Sequence, residues 1–167
     1  NNIVVNFRDL FGEESDINED GKISVVISPV LNEMSTQSDD EDDWARVVES
    51  YADPRKDLKD FSADNPCSDE QEVIYVFAPD PYGFYNSYAK PTVEEFTSME
   101  LAGQIARSYL KLISYNSHVL LCQEHNEEQL AKDPKFEELS CDPEEFWVNE
   151  AMAAVGTDIV GFGAIYH

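Results

Sequence analysis

"LAGQIARSYLKLISYNSHVL" (residues 101–120) and "FWVNEAMAAVGTDIVGFG" (residues 146–163) are the two stretches on which the reading of the fold turns. In the first, Met99, Ala102, Ile105, Tyr109 and Leu112 recur at helical spacing, and Thr92 with Glu95 forms a capping box just after Pro91. The second predicts a helix with Asp142 as N-cap, Pro143 at its first position, Glu145 completing the box and Gly161 as its stop. Each stretch carries charges in an apolar setting. Arg107 and Lys111 are the only Lys or Arg between Lys90 and Lys132, and like charges one turn apart repel by roughly a few tenths of a kcal/mol. Glu150 lies mid-helix among Phe, Trp, Met and Val. A carboxylate in apolar surroundings must be neutralised, paired or bound to metal. The competing reading makes Asn149 and Glu150 a narrow wet stripe on an otherwise buried helix. For the first helix it makes Glu100, Gln104, Arg107, Lys111, Ser114 and His118 a plain solvent face.

Upstream, "GKISVVISPVL" (21–31) predicts a buried strand, and "QEVIYVFAPDPYG" (71–83) predicts another that stops at two prolines and a glycine. Between them the chain turns acidic and is broken by Pro54 and Pro66. We read about 32–70 as an acidic insertion, solvated except for one short amphipathic helix through Trp44, Val47, Val48 and Tyr51. Strands first and helices after predict an α+β fold, a single domain over 1–167.

Composition narrows the partners. With 35 acidic and 11 basic residues the net charge is −24, which argues against a basic footprint for nucleic acid or an anionic membrane. It fits solubility, cation binding or a basic protein partner. No stretch approaches the roughly 20 apolar residues of a membrane span. The chain opens at Asn1 without Met, as expected where an N-terminal segment has been removed. Cys67, Cys122 and Cys141 form no C-x-x-C pair. For Cys122 and Cys141 two readings stay open: a bridge across a short loop, or unrelated thiols.

"DINEDGKI" (16–23) sets Asp16, Asn18 and Asp20 at alternate positions before Gly21, with the carbonyl of Lys22 next. That is the first half of an EF-hand-type calcium loop. Its twelfth position is Ile27, so a calcium site here has to borrow a carboxylate from elsewhere. A simple polar turn is the alternative. His118, His125 and His167 form no metal spacing, and no phosphate loop or nucleophile elbow is present.

The pairing "IARSYLKLISYNSHVL" with "FWVNEAMAAVGTDIVGFG" resembles the hyicolysin family of bacterial zinc metallopeptidases. There the first helix reads roughly L-A-H-E-F-Q-H-L-I-N-Y-N-Q-H-V-L and the second W-L-N-E-G-L-A. The 16–23 loop and "EVIYVFAPDP" are similar to the family as well, so the likeness covers most of the chain outside 32–70. It implies a zincin-like fold, with the zinc-binding His-Glu-x-x-His falling on Arg107, Ser108, Tyr109, Leu110 and Lys111. Both histidines are replaced by cations and the general base by Ser108; only the third ligand is kept, as Glu150. A guanidinium and an ammonium cannot coordinate zinc.

The resemblance therefore implies a catalytically inactive, zinc-free pseudoenzyme, secreted or surface-displayed in a bacterium, that works by binding a protein. Arg107, Lys111 or both are expected to reach Glu150 and stand in for the metal as a strut between helices. The aromatic run "PYGFYNSY" and the acidic insertion are candidate contact surfaces. Two other readings are a calcium-stabilised acidic adhesion or interaction module and an active hydrolase with a site of another kind.

Overall fold

The computed structural model describes residues 3–35, 50–58, 65–66, 68–88, 90–97 and 99–162. Helices α1 (Ile3–Phe11), α2 (Pro29–Met34), α3 (Pro54–Asp57), α4 (Val93–Phe96), α5 (Met99–Tyr115), α6 (Leu121–Lys132) and α7 (Phe146–Ile159) accompany strands β1 (Ser24–Ile27), β2 (Ser50–Tyr51) and β3 (Val73–Val76). The arrangement is α+β. The sheet runs β1-β3-β2, with β1 parallel to β3 and β2 antiparallel to it.

The core follows from the two apolar patterns. Val73, Ile74 and Val76 of the central strand are buried on both faces, and Tyr109, Leu112 and Ile113 of α5 pack on the same cluster. Phe7 of α1 meets Tyr109 edge-on, ring centroids 5.6 Å apart. Ala153 brings α7 into the same core. Between α5 and α6 the helix loosens into a π-turn over Asn116–Leu120, where Asn116 donates to the carbonyl of Glu13 at 2.9 Å.

Several expectations need correction. The elements do not run strands first, because α1 opens the described chain and α2 follows β1 directly. Ser28 caps Val30 N and Pro29 starts that helix, so the Ser-Pro pair ends the strand at Ile27. β1 is an edge strand with Val25, Val26 and Ile27 exposed, not a buried one. The region read as an insertion supplies β2 and α3, and its Asp53, Asp57 and Leu58 are buried. Tyr51 belongs to β2 rather than to a helix; Trp44, Val47 and Val48 lie outside the described residues.

The Thr92–Glu95 capping box is formed, but α4 ends at Phe96, before α5 begins at Met99. The last helix starts at Phe146, four residues after Asp142, and Glu145 is its N-cap without a side-chain bond. The cause is that the preceding arm is pinned to α6. Asn126 exchanges two hydrogen bonds with the backbone of Leu139 (2.8 and 3.0 Å), and Cys141 is bridged to Cys122. Gly161 does stop the helix at φ +89°, with Phe162 N bonded to Thr157 O at 2.9 Å and Gly161 N to Asp158 O at 3.0 Å. Nor is α7 buried all round: Trp147, Met152, Val155 and Ile159 face outward.

Candidate functional site

Helices α5 and α7 bring the two cations and the retained carboxylate together. Arg107 Nη2 lies 2.7 Å from Glu150 Oε2, and Lys111 Nζ lies 2.5 Å from Glu150 Oε1, so each oxygen takes one cation. The i, i+4 spacing puts both cations on the face of α5 that α7 crosses. That face is not a solvent face at these positions, since all three side chains are only about a quarter exposed (27%, 23% and 23%). Burial alone would push the Glu150 carboxyl up, but Lys111 and then Arg107 hold it below its usual range. Close approach of the helices is permitted by Gly156, whose missing Cβ leaves room for Leu110 and Phe11.

Ser108, next to Arg107 on α5, faces the sheet instead. It is buried, and its Oγ lies 2.7 Å from Ser50 Oγ on β2, which in turn donates to Gln104 O at 2.9 Å. Because that single Ser50 hydrogen is used on Gln104, Ser108 is the donor to Ser50. The position that the resemblance assigns to a general base thus joins the helix to the sheet. The donor set does not fit zinc: Arg107 and Lys111 present no lone pair, and Glu150 is shared between them.

Asp16, Asn18, Asp20 and Lys22 gather in the α1–β1 loop. Asp16 Oδ1 accepts from Gly21 N at 3.0 Å, Asn18 Oδ1 from Asp20 N at 3.2 Å, and Asp20 Oδ1 from Lys22 N at 2.8 Å. Glu19 and Gly21 turn the chain with φ of +57° and +66°. Among the described residues, no three His, Cys, Asp or Glu side chains converge as a metal-holding group. His118 pairs with Glu144 (Nδ1 to Oε1, 3.2 Å), and His125 lies edge-on to Phe136. Among the described residues no helix is long and apolar enough to cross a membrane.

Three groups were not foreseen. Glu14 is buried where Arg8 and Tyr109 meet: Arg8 Nε donates to its Oε2 at 3.0 Å, Arg8 Nη2 bonds its Oε1, and the Tyr109 hydroxyl donates to Oε2. Burial pushes Glu14 up, yet Arg8 and Tyr109 leave its carboxyl below the usual range, while burial and Glu14 push the Tyr109 hydroxyl up. Glu72, just before β3, is 1% exposed. Asp80 is also buried and accepts from Phe84 N and Tyr85 N at 2.8 Å each and from Asn86 N at 3.4 Å. Asn86 Nδ2 donates to Asn32 O and Ser35 O at 2.7 Å each, so the loop carrying exposed Tyr82, Phe84, Tyr85 and Tyr88 is fixed at both ends.

Compared with family models, curated proteins and solved structures, the chain matches none.

Proposed function

We propose that this chain is a zincin-like metallopeptidase domain whose zinc site has been lost and which works by binding a protein partner, secreted or displayed on a bacterial surface. The observation that carries this reading is the clamp of Arg107 and Lys111 on Glu150. Of the three residues that the resemblance aligns with zinc ligands, both cations touch Glu150 and supply the positive charge that a metal would bring to the carboxylate. No Lewis acid or activated water is available from such a set. The Cys122–Cys141 bridge favours export, because disulfides persist in oxidising compartments. The contact surface that fits best is the aromatic loop 80–88, held in one shape by Asp80 and Asn86. A preorganised loop loses little entropy on binding, and exposed Tyr and Phe supply apolar area.

The test is to rebuild the metal site. Arg107→His with Lys111→His, Glu150 kept, should retain about one zinc per chain after dialysis, while the wild type retains none. A folded double variant that takes up no zinc would overturn the zincin-like alignment. Stoichiometric zinc in the wild type would overturn the loss of the site.

A second reading is a calcium-stabilised interaction module. It is favoured by the turn that Asp16 and Gly21 already close, which leaves Asp16, Asn18, Asp20 and the Lys22 carbonyl in one short loop.

A further inference from the structure

Among the described residues, Glu72 is a charge left without full compensation. Its residue is 1% exposed, yet only one of its carboxylate oxygens is used. Oε1 accepts from Ser15 Oγ at 2.7 Å and from Ile17 N at 3.1 Å. Oε2 is buried, and among the described residues it has no hydrogen-bond partner. A buried anion without full compensation is costly, so such a carboxylate is neutralised, paired or bound to a cation. No Lys, Arg or His makes an ion pair with Glu72 among the described residues. The two groups that hold Oε1 flank Asp16, so the carboxylate is fixed under the start of the 16–22 loop.

We infer that Glu72 is the buried ligand of a calcium ion whose exposed half is that loop, the carboxylate that the loop lacks at its own twelfth position, Ile27. The inference rests on the calcium reading of residues 16–22. Calcium takes six to eight oxygens in an adaptable geometry. Asp16, Asn18, Asp20, the Lys22 carbonyl and Glu72 supply a mixed set with three negative charges, and water completes it. Asp16 and Asp20 each spend one oxygen on a backbone N–H of the turn; Asp16 has a second to offer, and the second of Asp20 lies 3.9 Å from the exposed Lys22 Nζ, a loose pair that an ion would displace. The Asp16, Asn18 and Asp20 side chains are exposed and held only by the turn's own hydrogen bonds and the Asp20–Lys22 pair, so the ion has to draw the acids together onto a carboxylate already in place. Magnesium, which demands a strict octahedron and keeps its water, suits such a loop less well. The ion would tie the α1–β1 loop to the residue that leads into the central strand.

The test is calcium titration of the chelator-treated chain by calorimetry, with thermal melts in parallel. Wild type should bind one calcium and melt higher with it, and Asp16→Ala should abolish both effects. Glu72→Gln keeps the size and an acceptor oxygen but removes the charge. It should weaken calcium binding by about tenfold or more and raise the melting temperature of the metal-free chain. Glu72→Asp, which retracts the charge by one methylene, should also weaken binding. No binding to wild type would overturn the loop reading and the role of Glu72 with it. Wild-type affinity in either Glu72 variant, with Asp16→Ala inactive, would overturn the role of Glu72 alone.

Discussion

Glu150 carries two cations on two oxygens, so its removal should expose what the pair is worth. Glu150→Gln leaves Arg107 and Lys111 half-buried and facing each other, and should cost about 2 kcal/mol in urea unfolding at pH 7. Replacing all three by Met should cost far less, because the desolvation of the charges disappears along with their attraction. The pH dependence has a definite sign. In the folded state the Glu150 carboxyl lies below its usual range. Its contribution is therefore full above the unfolded value and is lost as pH falls through the folded one. The stability gap between wild type and Glu150→Gln should hold steady from pH 7 to about 5 and narrow on further acidification. This trio was legible in the sequence because helical spacing fixes which side chains share a face, and a charge among Phe, Trp and Val stands out. Glu14 and Glu72 were not legible. They are two acids among 35, and what distinguishes them is burial against residues 57 or more positions away, Ser15 for Glu72 and Tyr109 for Glu14.

Between elements, the contact that sets the clamp is the crossing of α5 and α7 at Gly156. A Cβ there would press on Leu110 Cδ2 and come within 3.3 Å of Phe11 Cζ. Gly156→Ala should gain up to about 1 kcal/mol of helix propensity and lose more to overpacking, for a net loss of about 1 kcal/mol and a lower melting temperature. A rise in melting temperature would mean that Leu110 and Phe11 yield freely. Element existence was mostly readable where periodicity was long, as in α5, or β-branched and apolar, as in β3. Boundaries failed where tertiary ties decided them. Asp142, Pro143 and Glu145 spell a helix start, but the disulfide and Asn126 hold that arm away from helical geometry until Phe146. The 50–58 segment looked like solvated insertion because its composition is acidic. It nevertheless pairs Ser50 with Val76 and buries Leu58, a long-range result that no local pattern announces.

For the whole molecule, the disulfide is the one covalent tie across the fold among the described residues. Cys122 and Cys141 are 19 positions apart, and removing the bridge with Cys122→Ser and Cys141→Ser should cost about 3 kcal/mol in the loop-entropy account. Urea unfolding with and without reductant measures it. The bridge also sets how load passes through the molecule. If the two ends of the chain are pulled apart, tension crosses from α6 to the arm before α7 through the two sulfurs, and the residues between them carry none. Their fully extended length is about 60 Å, at roughly 3.4 Å per residue. That length stays hidden from the force while the bridge is intact and is released when it is reduced.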